Sequence, residues 1–157
     1  MVPIWIALAF LSFMTLFLAV DIPKREAARN EVQIAYDTSS ITAYGRSVTA
    51  YLTANPTVTG KVDNTTLSAF WPLGYTHTDG SLWSNYIDTG GKLYIFSLSP
   101  ANNEILSGLY RIYGDTLFVG TKGSDGYLHS LNGVTIPIPT VAGIPNGAIV
   151  VLGKWNF

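Results

Sequence analysis

The run Met1 to Val20, MVPIWIALAFLSFMTLFLAV, decides how the rest of the chain is read. It holds no charged residue, and its only polar side chains are Ser12 and Thr15. At about 1.5 Å of rise per residue, a helix of this length covers about 30 Å, the hydrocarbon thickness of a bilayer. A hydroxyl can bond back to its own helix, so Ser12 and Thr15 do not forbid burial in lipid. Pro3 falls in the first turn, where its missing N–H is not needed. Trp5 stands near one end, where an indole suits the headgroup region.

A cleaved secretory signal would need a basic n-region and a small-x-small cleavage site. No Lys or Arg precedes the run, and Leu18-Ala19-Val20-Asp21 is a poor cleavage site. A core helix of a soluble protein without any polar face would be hard to enclose in so small a domain. Residues 1–20 are therefore expected to be a retained transmembrane anchor. Its direction is open on charge alone. Lys24, Arg25 and Arg29 follow the run, and the positive-inside rule would put that side in the cytoplasm. Residues 31–157, with six Lys or Arg against eight Asp or Glu and much Ser, Thr, Asn, Gly and Tyr, look instead like an exported domain.

The chain has no cysteine, which excludes disulfides and thiolate chemistry. The net charge is −1 and no basic stripe occurs, which argues against nucleic-acid binding. Past the anchor and its junction about 125 residues remain, enough for one core and too few for two.

Outward from the anchor, Asp21-Ile22-Pro23 breaks the composition, and residues 21–55 read as a juxtamembrane amphipathic helix. Within it Ile34, Ile41, Tyr44, Val48 and Leu52 recur at helical spacing. Thr38-Ser-Ser40 and Gly45 weaken helix propensity and mark a candidate break. Asn55-Pro56 ends the helix, because the residue before proline avoids the α region. Residues 56–157 then form an α+β domain. A short helix follows Asp63 or Asn64, with Leu67, Phe70 and Trp71 on one side and Pro72 as its stop. Residues 75–90 read as a polar loop with Tyr86 and Ile87 inside. Lys92 to Ser99 is a strand by its β-branched and aromatic content. Pro100 is expected to open a helix reaching about Tyr113, with Ile105, Leu106, Leu109 and Ile112 as its apolar face and Gly114 as its cap. Thr116–Thr121 and Tyr127–Leu131 make a hairpin across Gly123-Ser-Asp-Gly126. Residues 133–147, with Pro137, Pro139 and Pro145, read as an extended loop, and Ala148–Lys154 as the last strand. The fold class is α+β: an N-terminal transmembrane helix, then an antiparallel sheet with helices on one face.

Candidate chemistry is sparse. His77 with Asp79, and His129 near Asp125, could meet around zinc, but neither pair has a metal-site spacing. Gly120-Thr-Lys-Gly-Ser-Asp-Gly126 lacks the Gly-Lys-Ser/Thr ending and leads into a strand, so it reads as a turn and not a phosphate loop. No carboxylate pair has general acid–base spacing, and no strand-turn-helix elbow presents a serine. No catalytic, cofactor-binding or metal residue is assigned. The aromatic count is more telling, with four Trp and nine Tyr. Trp71, Tyr75, Trp83, Tyr86 and Trp155 stand around loops and the C-terminus, either as core filling or as a partner surface.

Several stretches carry a family resemblance. They are the apolar segment running into an amphipathic helix, Asn55-Pro-Thr-Val-Thr-Gly-Lys-Val-Asp63, Leu67-Ser-Ala-Phe-Trp-Pro72, Asn85-Tyr-Ile-Asp-Thr-Gly90, the Tyr94-Ile-Phe strand and Ile144-Pro-Asn-Gly-Ala148. The chain resembles the PilM family of type IVb, thin conjugative pilus systems over nearly its whole length. The resemblance implies an inner-membrane component of the pilus assembly apparatus or basal body, with a periplasmic domain and no catalytic residues. It implies other pilus-assembly proteins as partners, with room for a homo-oligomer. On that reading Ile41, Tyr44, Val48, Trp83 and Trp155 are the partner-binding candidates. A minor pilin or pseudopilin shares the anchor-plus-helix plan. Polymerising pilins usually show a basic leader, a processing-site Gly and a Glu at the fifth mature residue, whereas no Glu precedes Glu26 here. A membrane-tethered hydrolase is the third alternative, with no nucleophile–base pair to support it.

Overall fold

In this computed structural model, residues 3–100, 103–113 and 118–153 are described. The first element, α1, runs unbroken from Ile4 to Ala54. Neither Pro23 nor the 38–45 stretch interrupts it. Hydroxyls that would otherwise compete with the helix bond back along it. Thr15 Oγ1 donates to the Ser12 carbonyl at 2.9 Å, Ser39 Oγ to Tyr36 at 2.7 Å and Thr42 Oγ1 to Thr38 at 2.8 Å.

The chain divides into two compact units, Met1–Ala35 and Tyr36–Phe157. The C-terminal part of α1 thus belongs to the sheet unit, whereas the sequence pattern placed a boundary at 55/56. In the first unit, the large apolar side chains described between Ile4 and Val20 are all at least 50% exposed. This helix is long and apolar enough to cross a membrane.

The second unit is built on a six-stranded sheet. Its strands are β1 (Trp83–Ile87), β2 (Leu93–Pro100), β3 (Phe118–Lys122), β4 (Tyr127–Ser130), β5 (Thr135–Pro137) and β6 (Ala148–Gly153), in spatial order β1-β2-β6-β3-β4-β5. Every pairing is antiparallel. The short helices α2 (Asn64–Leu67) and α3 (His77–Gly80) precede the sheet, and α4 (Asn103–Tyr113) lies between β2 and β3 in sequence. The α+β plan expected from the pattern is therefore the one found.

Both faces of the sheet are covered. On one, Ile41, Tyr44 and Val48 of α1 and Leu106 and Leu109 of α4 pack with Ile95, Val119, Ile149 and Val151. On the other, Tyr94, Phe96, Leu128, Val150 and Leu152 pack with Ile138 and Ile144 from the segment expected to be an open loop. Successive strand residues point to opposite faces, so two covered faces give continuous apolar runs such as Ala-Ile-Val-Val-Leu in β6. The 133–147 segment holds β5 and a 3-10 turn at Thr140–Ala142. It is tied down where Ile138 N–H donates to the Gly126 carbonyl at 3.0 Å and Gly147 N–H to Lys122 at 2.7 Å.

Four further expectations change. Residues 75–90 contain α3 and β1, because buried Ser84 and Asn85 disguise a strand. Tyr86, expected inside, is only half-buried, whereas Ile87 is buried as expected. Pro100 ends β2, opposite Ala148, instead of opening the helix. Ile112 is exposed, and Tyr113 takes its place in the core of α4. The Gly114 cap, the strand start at Thr116 and Lys154 lie outside the described residues.

Candidate partner-binding surface

The apolar stripe on α1 faces inward. Ile41, Tyr44 and Val48 are fully buried and Trp83 is 3% exposed. The partner-binding assignment of these four residues is therefore corrected. A helix uses its apolar face to cover its own sheet, which leaves that face unavailable to another protein. Trp155 lies outside the described residues.

A buried polar network accompanies this stripe. The Asn85 side chain, with no exposure, receives the Val62 N–H on Oδ1 at 2.9 Å and donates from Nδ2 to the Val62 carbonyl and to Tyr44 Oη, both at 2.8 Å. Tyr44 Oη donates in turn to Asn64 Oδ1 at 2.8 Å, and Asn64 Nδ2 donates to the Gly80 carbonyl at 2.8 Å. The Trp83 indole N–H donates to Ser40 Oγ at 2.9 Å. Burial pushes the Tyr44 hydroxyl up to about 12. The polar groups of this network bond to one another, which rigidifies the unit.

The titratable groups that stand outside make local contacts. Asp79 accepts from Tyr36, from the Thr76 hydroxyl and from the Thr76 N–H, and these bonds hold its carboxyl below the usual range. Both oxygens of Asp125 approach His129 Nε2, at 3.0 and 2.9 Å, across the β3–β4 turn. That contact first, then the Tyr127 N–H, lowers the Asp125 pKa. Among the described residues no three His, Asp or Glu side chains come together as a metal site would need. The Gly120–Gly126 run is hairpin: a Cβ on Gly120 would stand 2.3 Å from the His129 carbonyl oxygen, so the neighbouring backbone excludes any side chain.

An exposed apolar pair stands elsewhere, at the β1–β2 end of the sheet. Leu98 N–H donates to the Leu82 carbonyl at 3.1 Å, which sets the two residues side by side. Their side chains are 50% and 44% exposed. Beside Leu98 is an open depression of ≈ 290 Å³, also lined by Lys61, Asp63, Asn64, Thr65 and Trp83. Two apolar knobs beside a charged and hydroxylated rim have the anatomy of a protein contact. Sequence offered no sign of this, since Leu82 sits in a polar stretch and Leu98 continues a strand.

The family model PilM matches residues 6–152, which is most of the chain and takes in nearly all of α1, the first five strands and β6 up to its last residue. This chain belongs to the PilM family. The family is pilus-assembly-related, so PilM membership supports a pilus role for the chain. Its fold is similar to the crystal structure of a PilM protein from Escherichia coli B7A, at 17% identity and a TM-score of 0.56. The likeness covers 79% of this PilM chain and 94% of that one, and at this identity it speaks for the fold alone. No curated protein matches the chain.

Proposed function

We propose that this PilM-family chain is a non-enzymatic component of type IVb pilus biogenesis. It is held in the bacterial inner membrane by the apolar part of α1, and its sheet unit lies in the periplasm. There it works as an assembly or basal-body protein through contacts with other pilus-assembly proteins. The observation that supports this reading is the family match over residues 6–152, joined to an N-terminal helix apolar and exposed along its first turns. The Leu82–Leu98 pair is the contact surface on this reading.

Two experiments test it. A reporter enzyme active only outside the cytoplasm, fused after Phe157, is expected to be active; a well-expressed but inactive fusion rejects the periplasmic placement. Leu82→Asp and Leu98→Asp are expected to reduce pilus output while the protein stays folded and abundant. Full pilus output from both variants rejects this contact surface.

One observation favours a second reading, a minor pilin or pseudopilin within the filament. The helix α1 continues without a break from its exposed apolar portion into the part that packs on the antiparallel sheet, which is the pilin-like plan. Mass spectrometry of sheared, purified pili separates the two readings. A filament subunit is recovered with the pili, whereas an assembly component stays with the inner membrane.

A further inference from the structure

A six-stranded open sheet has two edges, and an unguarded edge is a template for pairing with another chain. The two edges here are closed by different means. At β5, Ser130 N–H donates to the Val134 carbonyl and Ile138 N–H to the Gly126 carbonyl, so residues 134 and 138 turn their polar groups toward β4. Alternation then points Thr135 and Pro137 outward. Pro137 has no N–H to offer an incoming strand, and β5 is only three residues long.

At β1 no proline stands guard. Instead the chain before α2 lies along the edge. Gly60 and Ile87 exchange backbone hydrogen bonds, at 2.7 Å from Gly60 N–H and 2.9 Å from Ile87 N–H. Two residues further along, the Asn85 side chain takes over the part of a strand backbone. Its amide accepts from Val62 N–H and donates to Val62 C=O, as an opposing peptide unit would. The third Asn85 bond goes to Tyr44, which ties this arrangement to α1. Asn85 is fully buried although its strand is the sheet's border, while Trp83 and Ile87 are buried against the core on the sheet's face. Gly60 reaches its position with φ +88°, a conformation side chains rarely adopt, and nothing else lies within 4 Å of where its Cβ would be.

We propose that residues 60–62 are a built-in edge guard and that the Asn85 amide is its latch. The segment occupies the place that a strand from a second copy of this chain would take, and so keeps copies from pairing through β1.

The test uses the full chain in detergent micelles, with amide hydrogen exchange and light scattering. Asn85→Leu removes the latch, and Gly60→Ala strains the guard from its open side without touching the core. Both variants are expected to speed exchange of the Ile87 amide by about tenfold or more, while Ile95 and Val151 at the sheet centre stay protected. Both are also expected to associate with rising concentration where the unaltered chain does not. If Asn85→Leu loses protection throughout the sheet, Gly60→Ala decides alone. An unchanged Ile87 amide in Gly60→Ala overturns the proposal, and so does faster exchange without association.

Discussion

Between Ile4 and Val20, α1 turns its described large apolar side chains to its surroundings; between Ile41 and Val48, the same helix buries three apolar side chains completely. The first stretch is apolar all round and has no polar stripe, so no single packed face could satisfy it and only a surrounding apolar medium would. The second spaces its apolar residues three and four apart, which makes one face and commits it to one neighbour. Density of apolar residues thus separates a stretch long and apolar enough to cross a membrane from one that packs on a sheet. Spacing then says which side is covered, but not by what.

A charge introduced into each half is the strongest way to break this contrast. Ile41→Asp and Val48→Asp place an unpaired carboxylate in a closed core and delete its packing, at a cost of about 4 kcal/mol or more. Loss of the cooperative urea transition in detergent checks this. Leu11→Asp, in the exposed half, is expected to leave that transition in place. Its cost of about 2.5–3.5 kcal/mol falls on membrane insertion, read as the share of protein in the membrane fraction. Equal effects of the two kinds of substitution on folding would erase the distinction.

A smaller perturbation sharpens the buried half. Tyr44→Phe leaves Asn64 Oδ1 and Asn85 Nδ2 short of a partner, at about 1–3 kcal/mol measured by the urea midpoint. The same hydroxyl predicts an alkaline limit. Its pKa is raised to about 12 in the fold against 10.0 unperturbed, so its stabilising contribution is whole below pH 10 and lost as pH rises through about 12. Tyr44→Phe removes that share of the alkaline loss.

The smallest effect is expected at the surface. Asp125 is exposed and its pKa is depressed chiefly by His129. A depressed carboxyl stabilises above its unfolded pKa and loses that contribution as pH falls through the native value, so any effect is confined to acid below about pH 4. His129→Ala is expected to move the Asp125 pKa back up in an NMR titration and to leave the urea midpoint at neutral pH unchanged.

Legibility in the sequence followed the range of the forces involved. The strand at Tyr94-Ile-Phe96, the β3–β4 turn and the end of α1 near Asn55-Pro56 depend on neighbours in sequence, and pattern located them. The strand β1 was hidden because Ser84 and Asn85 read as loop residues. Asn85 is acceptable inside only because Tyr44 and Val62 satisfy it, from 41 and 23 residues away. Pro100 read as a helix start because proline suits a first turn, yet it sits opposite Ala148 at the end of β2. The partner candidates suffered most. Ile41, Tyr44, Val48 and Trp83 were legible as apolar or aromatic, but whether such residues face a partner or the chain's own sheet is not a local property.

By itself, then, the sequence determined the apolar N-terminal helix, the α+β class and the PilM resemblance that the family match supports. These rest on composition and short periodicities that each segment carries alone. Only the tertiary structure decided the order β1-β2-β6-β3-β4-β5, the covering of the sheet's second face by Ile138 and Ile144, and the sealing of the β1 edge through Asn85. Each joins groups far apart in the chain, as when Ile149 N–H donates to Ser97 Oγ at 2.9 Å across 52 residues. Buried polar groups must find partners wherever the fold brings them, and no local pattern names the partner in advance.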